Sequence, residues 1–341
     1  MISDTQTVTG VAMLAVALAL ATTGLAQPAA DVLQAVAAAP AHVATKFDDD
    51  AAFAVTRDGE YVVLDRRGHG VYVFDAAGAK VRRIVSAGIG PGELFQPLAL
   101  ALNADDLIAV ADSPNGLDRV QYFASNGMRV GGFYLPLAPE PRLTAANLLL
   151  ASGGSLGFSG SAFVVNRPEW GALVTEHDVT GRVIRQMGNL RQVGPAPDRD
   201  LDIAMSIGIP LGTRDGGFLF VFQTGAPMFR KYSRDGRVEF ERHIQGPELD
   251  ARVLALPTVW PPRAAGTKPV VPPMVRAAAL DRDGRLWISL TVPYTYVYNE
   301  AGEKVRTLQF RGASVLSPSS LFFTSKGRLL VAPGGYEFEV N

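Results

Sequence analysis

The sequence predicts an all-β chain folded as a six-bladed β-propeller of four-stranded blades, the last blade closed by the N-terminal strand. Three observations carry that expectation. A short pattern returns five times: an apolar strand ending in an aromatic residue or His, then a Gly four residues later. Its copies are Val71–Phe74 with Gly78, Val120–Phe123 with Gly127, Leu173–His177 with Gly181, Met228–Tyr232 with Gly236 and Thr295–Tyr298 with Gly302. These glycines lie 49, 54, 55 and 66 residues apart, the spacing of one repeated all-strand unit. Second, pairs such as Asp58-Gly59 and Ala77-Gly78 separate apolar runs, and Gly supplies the positive φ that tight hairpins need. Third, a sixth unit opening at Ser317 ends one strand short, so a ring needs a strand from elsewhere.

The blades follow in order. The first reads Ala52–Thr56, Glu60–Asp65, Gly70–Phe74 and Lys80–Val85; the second Leu98–Leu102, Leu107–Asp112, Arg119–Phe123 and Met128–Phe133. The third is expected near 147–151, 162–166, 173–177 and 182–187, the fourth near 204–211, 217–223, 228–232 and 237–243. The fifth falls near 275–280, 285–290, 294–298 and 303–310. The sixth takes Leu321–Thr324, Arg328–Ala332 and Tyr336–Val340, with His42–Phe47 expected as its outer strand.

Composition bounds the rest. The 341 residues are 48% hydrophobic and 19% charged with a formal net charge of −1, which argues against a nucleic-acid partner. The chain has no Cys, so disulfides and thiolate metal sites are excluded. Residues 11–21 are an unbroken apolar run too short to span a bilayer, followed by Gly24-Leu25-Ala26 as a small-residue cleavage site. Residues 1–26 therefore read as a signal peptide, although residues 1–10 carry no Lys or Arg. Residues 27–40 read as an Ala-rich linker, 41–341 as the propeller. No membrane span is expected after cleavage, and the mature protein is expected to be a periplasmic or secreted monomer.

The second unit carries a further signal. Its Gly-rich lead-in Gly88–Gly92, Glu93, Pro97, the stretch Val110-Ala-Asp112-Ser-Pro-Asn115, Arg119 and Phe123 resemble an NHL repeat. The other units keep the rhythm and the final Gly but lose most of these side chains. The whole chain resembles exported bacterial six-bladed propellers related to NHL-repeat proteins. The resemblance implies a binding scaffold, sometimes an enzyme, so function must be argued from the site.

Propellers bind ligands on the face carrying the loops between second and third strands and the links between blades. That face is expected to present Arg67, His69, Asn115, Trp170, Gln223, Tyr294 and Tyr336, a polar and aromatic rim suited to a protein partner or small polar ligand. Asp48-Asp49-Asp50 precede the first inner strand. Asp49, Asp50 and Glu93 are the candidate metal ligands for a hard cation such as calcium; otherwise no cofactor is expected. The leading expectation is non-catalytic binding. The alternative is a metal-dependent hydrolase or lyase at the channel mouth, with His69 as base. His177 stands where other repeats hold Phe or Tyr and is expected to pack between blades. The Pro-rich stretch 256–273 accounts for the longest period and is expected to be an extended loop.

Overall fold

The repeat glycines do what their turns require. Gly78, Gly127, Gly181, Gly236 and Gly302 all take φ between +67° and +89°, a region costly for any residue with a Cβ. Each turn returns the chain to an outer strand, and six antiparallel sheets result. The computed structural model describes residues 30–44, 46–47, 52–136, 156–159, 162–194, 197–264 and 266–340.

The inner strands are Ala52–Val55, Ala99–Leu102, Leu156–Ser159, Gly208–Gly212, Val275–Leu280 and Ser320–Phe323. Second and third strands follow by hairpins, as in Phe218–Phe222 and Met228–Tyr232 of blade 4. Phe218–Phe222 and Leu286–Leu290 are buried at every position, because a neighbouring blade covers each face of the sheet. Outer strands such as Val238–His243 are mostly exposed. Clusters of buried side chains fill every seam between neighbouring blades, including the one between blades 6 and 1 around Phe53, Val63, Phe74 and Leu330. The ring is closed.

Closure uses the N-terminal segment, but not the residues the sequence suggested. Ala37–Ala38 pair antiparallel with Tyr336–Glu339 as the fourth strand of blade 6. His42–Phe47 does not form that strand. Ala41–Ala44 is a helical turn whose Val43 is fully buried beside Gly78. The expected linker also holds a second strand, since Asp31–Gln34 runs parallel to the outer strand Lys304–Arg311 of blade 5. Pattern failed here because Ala37-Ala38 has no alternation to read, and two residues suffice for the closing ladder. The strand expected at 147–151 lies outside the described residues; Leu156–Ser159 is the inner strand of blade 3.

His177 is buried between blades 2 and 3, its ring stacked on Phe133 at 5.5 Å. Burial holds its pKa below the ordinary 6.5. The unfolded chain therefore binds a proton that the folded chain refuses as pH falls below about 6.5, and stability declines over that window. His177→Phe should flatten this slope. Urea melts at pH 7.5 and 5.0 check it: equal slopes for variant and parent would remove His177 as the cause.

Candidate functional site

The strongest sequence motif turns out to be structural. Asp112 is fully buried, and its two oxygens take Arg119 Nε at 2.7 Å and Nη2 at 2.9 Å. Arg119 then donates to the carbonyls of Ile89 (2.9 Å) and Glu93 (2.7 Å), while Asp112 Oδ2 accepts from Phe95 N at 3.0 Å. The pair thus pins the Gly-rich link 88–97 against blade 2. Other blades hold their neighbours by different groups at the end of the second strand. Asn166 takes Gly208 N (3.0 Å), Gln223 reaches Arg276 O (3.3 Å), and Ser289 donates to Pro318 O (2.8 Å).

These contacts correct two expectations. Gln223 is buried and its amide bridges blades 4 and 5, so it is not a rim residue. Glu93 does not face a cation site: its Oε2 accepts Gly90 N at 3.0 Å and would stand 2.1 Å from any Cβ at Gly88. The lead-in folds back on its own carboxylate. Asp49 and Asp50 lie outside the described residues. Among the described residues no three His, Asp or Glu side chains are grouped to hold a metal. The axial cavity, about 340 Å³, is lined by inner strands with no ionisable side chain among the described lining residues.

The remaining rim residues divide. Trp170 sits half-buried against the blade 2–3 seam, 6.0 Å from His177. Tyr294 packs partly into the blade 4–5 cluster, and Tyr336 into the blade 5–6 cluster beside Gly312 and Gly334. These three are spread around the ring. Arg67, His69 and Asn115 instead come from the same loop face of adjacent blades 1 and 2. Arg67 and Asn115 are exposed, His69 half-buried.

Backbone geometry singles out this sector. Four described non-glycine residues have positive φ: His69 (49°), Gln96 (49°), Asn115 (53°) and Asp106 (60°). Asp106 lies on the opposite face and is held by Arg57, whose N and Nε donate to its carboxylate at 2.9 and 3.0 Å. His69, Gln96 and Asn115 share the loop face. Phe95 joins them, its ring 5.2 Å from that of His69 and its carbonyl accepting Ser113 N at 2.9 Å. None of the three side chains makes a hydrogen bond among the described residues. Such backbone costs about 1–3 kcal/mol per residue and persists only where the surroundings impose it. Here they do: Asp65 holds Gly68 N (2.8 Å), Arg83 holds Gly68 O (2.8 Å), and the Asp112–Arg119 pair fixes the link.

The result is an imidazole and two carboxamides with no hydrogen bond among the described residues, presented on a held base, with Arg67 nearby and Ile89 and Leu117 exposed at 53% and 44%. Carboxamides both donate and accept, so the sector can recognise polar groups of either kind. Among the described residues no carboxylate is hydrogen-bonded to His69. The sequence placed His69 and Asn115 on the rim but could not reveal their strain, because φ depends on tertiary contacts.

A family model described as a 6-bladed beta-propeller matches residues 55–123. No curated protein matches. Among solved structures, a catalytically inactive virginiamycin B lyase from Staphylococcus aureus with quinupristin is 11% identical, with 84% of this chain and 79% of that chain covered at a TM-score of 0.50. A streptogramin B lyase is 12% identical over 86% of this chain and 94% of that one, TM-score 0.48. A protein of unknown function from Bacteroides caccae is 12% identical, covering 75% and 80%, TM-score 0.46. At 11% identity the first of these likenesses speaks to the fold alone. By that fold the chain is a six-bladed β-propeller.

Proposed function

We propose that the protein is a binding propeller that holds a small polar ligand or an extended peptide on the loop face of blades 1 and 2. The observation that carries this reading is that His69, Gln96 and Asn115 lie on neighbouring loops around Phe95, each in left-handed backbone and each without a side-chain hydrogen bond among the described residues. Their surroundings hold these residues in costly backbone, and residues held in this way cluster at ligand clamps, which supports a binding role here. Catalysis has less support. The candidate cation ligand Glu93 is engaged with its own loop, and among the described residues no hydrogen-bond partner orients His69 as a base.

The test separates binding from folding. Gln96→Gly and Asn115→Gly relieve backbone strain, so each should leave stability unchanged or raise it by about 1 kcal/mol. Both should lower affinity for any ligand of this site. Amide NMR shifts, recorded against panels of polar metabolites and short peptides, should move at 67–69, 95–96, 113 and 115–117. Shifts confined to the opposite face, or unchanged affinity in the glycine variants, would overturn the assignment.

We further propose that residues 1–26 direct export and are removed, on the strength of the apolar run and the small residues before Gln27. Mature protein recovered from its producing cell should begin at Gln27. A chain that keeps Met1 and stays in the cytoplasm would refute this.

A further inference from the structure

We propose that the insertion between blades 4 and 5 is a docking element for a protein partner whose groove is lined by aromatic side chains. The three most exposed large apolar side chains among the described residues are Val270 (86%), Leu254 (84%) and Val259 (80%); the next, Met128, reaches 62%. All three lie on the one link joining Val238–His243 to Val275–Leu280. Apolar side chains scattered singly are ordinary, but their concentration on one element marks an interaction surface.

The element is held in place. Trp260 and Val271 belong to an apolar cluster with Leu201, Ile203 and Met205. Arg263 Nη2 meets both oxygens of Asp198 at 2.7 and 2.8 Å. Gly225 N donates to Pro272 O at 3.0 Å, and Thr224 bridges to Pro273. Trp260 and Val271 thus point inward while their immediate neighbours Val259 and Val270 point out. A surface fixed before its partner arrives loses less conformational freedom on binding.

Proline sets the chemistry of the occupant. Residues 257, 261, 262, 269, 272 and 273 are all Pro. Pro has no amide donor and a fixed φ, so this stretch is a poor edge for a partner strand. It offers apolar ridges, which a groove of aromatic rings recognises. A membrane surface fits less well. Arg263 and Lys268 already face Asp198 and Asp200 at 2.7 and 3.9 Å, which leaves them poor partners for anionic headgroups.

The experiment uses the full chain with a photo-crosslinking amino acid at position 259 or 270, irradiated in its producing cell, with position 128 as exposed control. The captured protein is identified by mass spectrometry, purified and titrated against parent and a Val259→Ser/Val270→Ser variant. The expected result is one protein crosslinked within an aromatic-lined groove, its affinity about 30-fold weaker for the variant at unchanged melting temperature. Asn115→Gly should bind this partner normally, which separates the surface from the blade 1–2 site. Crosslinks only to lipid, to a second copy of this chain, or at no higher yield than position 128 would overturn the proposal. So would equal affinity of parent and variant.

Discussion

Deleting residues 27–47 is expected to lower the melting temperature by about 10 °C. The segment closes the ring twice over. Asp31–Gln34 lies along the outer edge of blade 5, with Arg306 Nε 3.1 Å from Asp31, and Ala37–Ala38 completes blade 6. Behind them Ala39 and Val43 are buried in the blade 6–1 seam, and the His42 ring sits 3.2 Å from Gly78 O. Burying a Val stabilises by about 2 kcal/mol, and each backbone hydrogen bond adds about 1 kcal/mol net. Removal also exposes an unpaired strand edge that invites association. A peptide of residues 30–47 added to the truncated protein should restore much of the melt, because the edges it covers remain. An unchanged melting temperature after deletion would refute closure by this segment.

Arg119→Ala is expected to cost about 3–5 kcal/mol, which for a chain of this size lowers the melting temperature by roughly 5–8 °C. The substitution leaves the Asp112 carboxylate buried without its counter-ion and frees the carbonyls of Ile89 and Glu93. A buried charge without a partner costs more than the pair contributes while intact. The double variant Asp112→Leu/Arg119→Met should therefore regain much of the loss, and a double-mutant cycle by urea denaturation measures the coupling. The link 88–97 should still be loosened in that variant, so ligand binding near Gln96 should fall even where stability returns. Additive single effects, with no recovery in the double variant, would show that the pair is not the fastening described.

Much of the fold was legible because turn chemistry is local. Gly after an aromatic strand end, and Asp-Gly between apolar runs, announce hairpins without reference to anything distant. Closure was legible as a need but not as a location, since Ala37-Ala38 carries no pattern and His42–Phe47 only resembles a strand. The site was legible as a face and misread in part. Gln223 looks like a rim residue in sequence and Glu93 like a metal ligand, yet one bridges blades and the other accepts the amide of Gly90 in its own loop. Polar side chains near a rim serve packing or ligand equally well, and only their hydrogen-bond partners separate the two uses.

By itself the sequence determined the repeated hairpin unit, the number of blades and the loop face on which chemistry could occur. These follow from side-chain alternation and the φ demands of turns, both set within a few residues. Tertiary structure decided which strand closes the ring, that Asp112 and Arg119 fasten a link, and that His69, Gln96 and Asn115 share one strained sector. Those outcomes depend on contacts between residues far apart in the chain, where burial and competition for hydrogen bonds, rather than local propensity, select the arrangement.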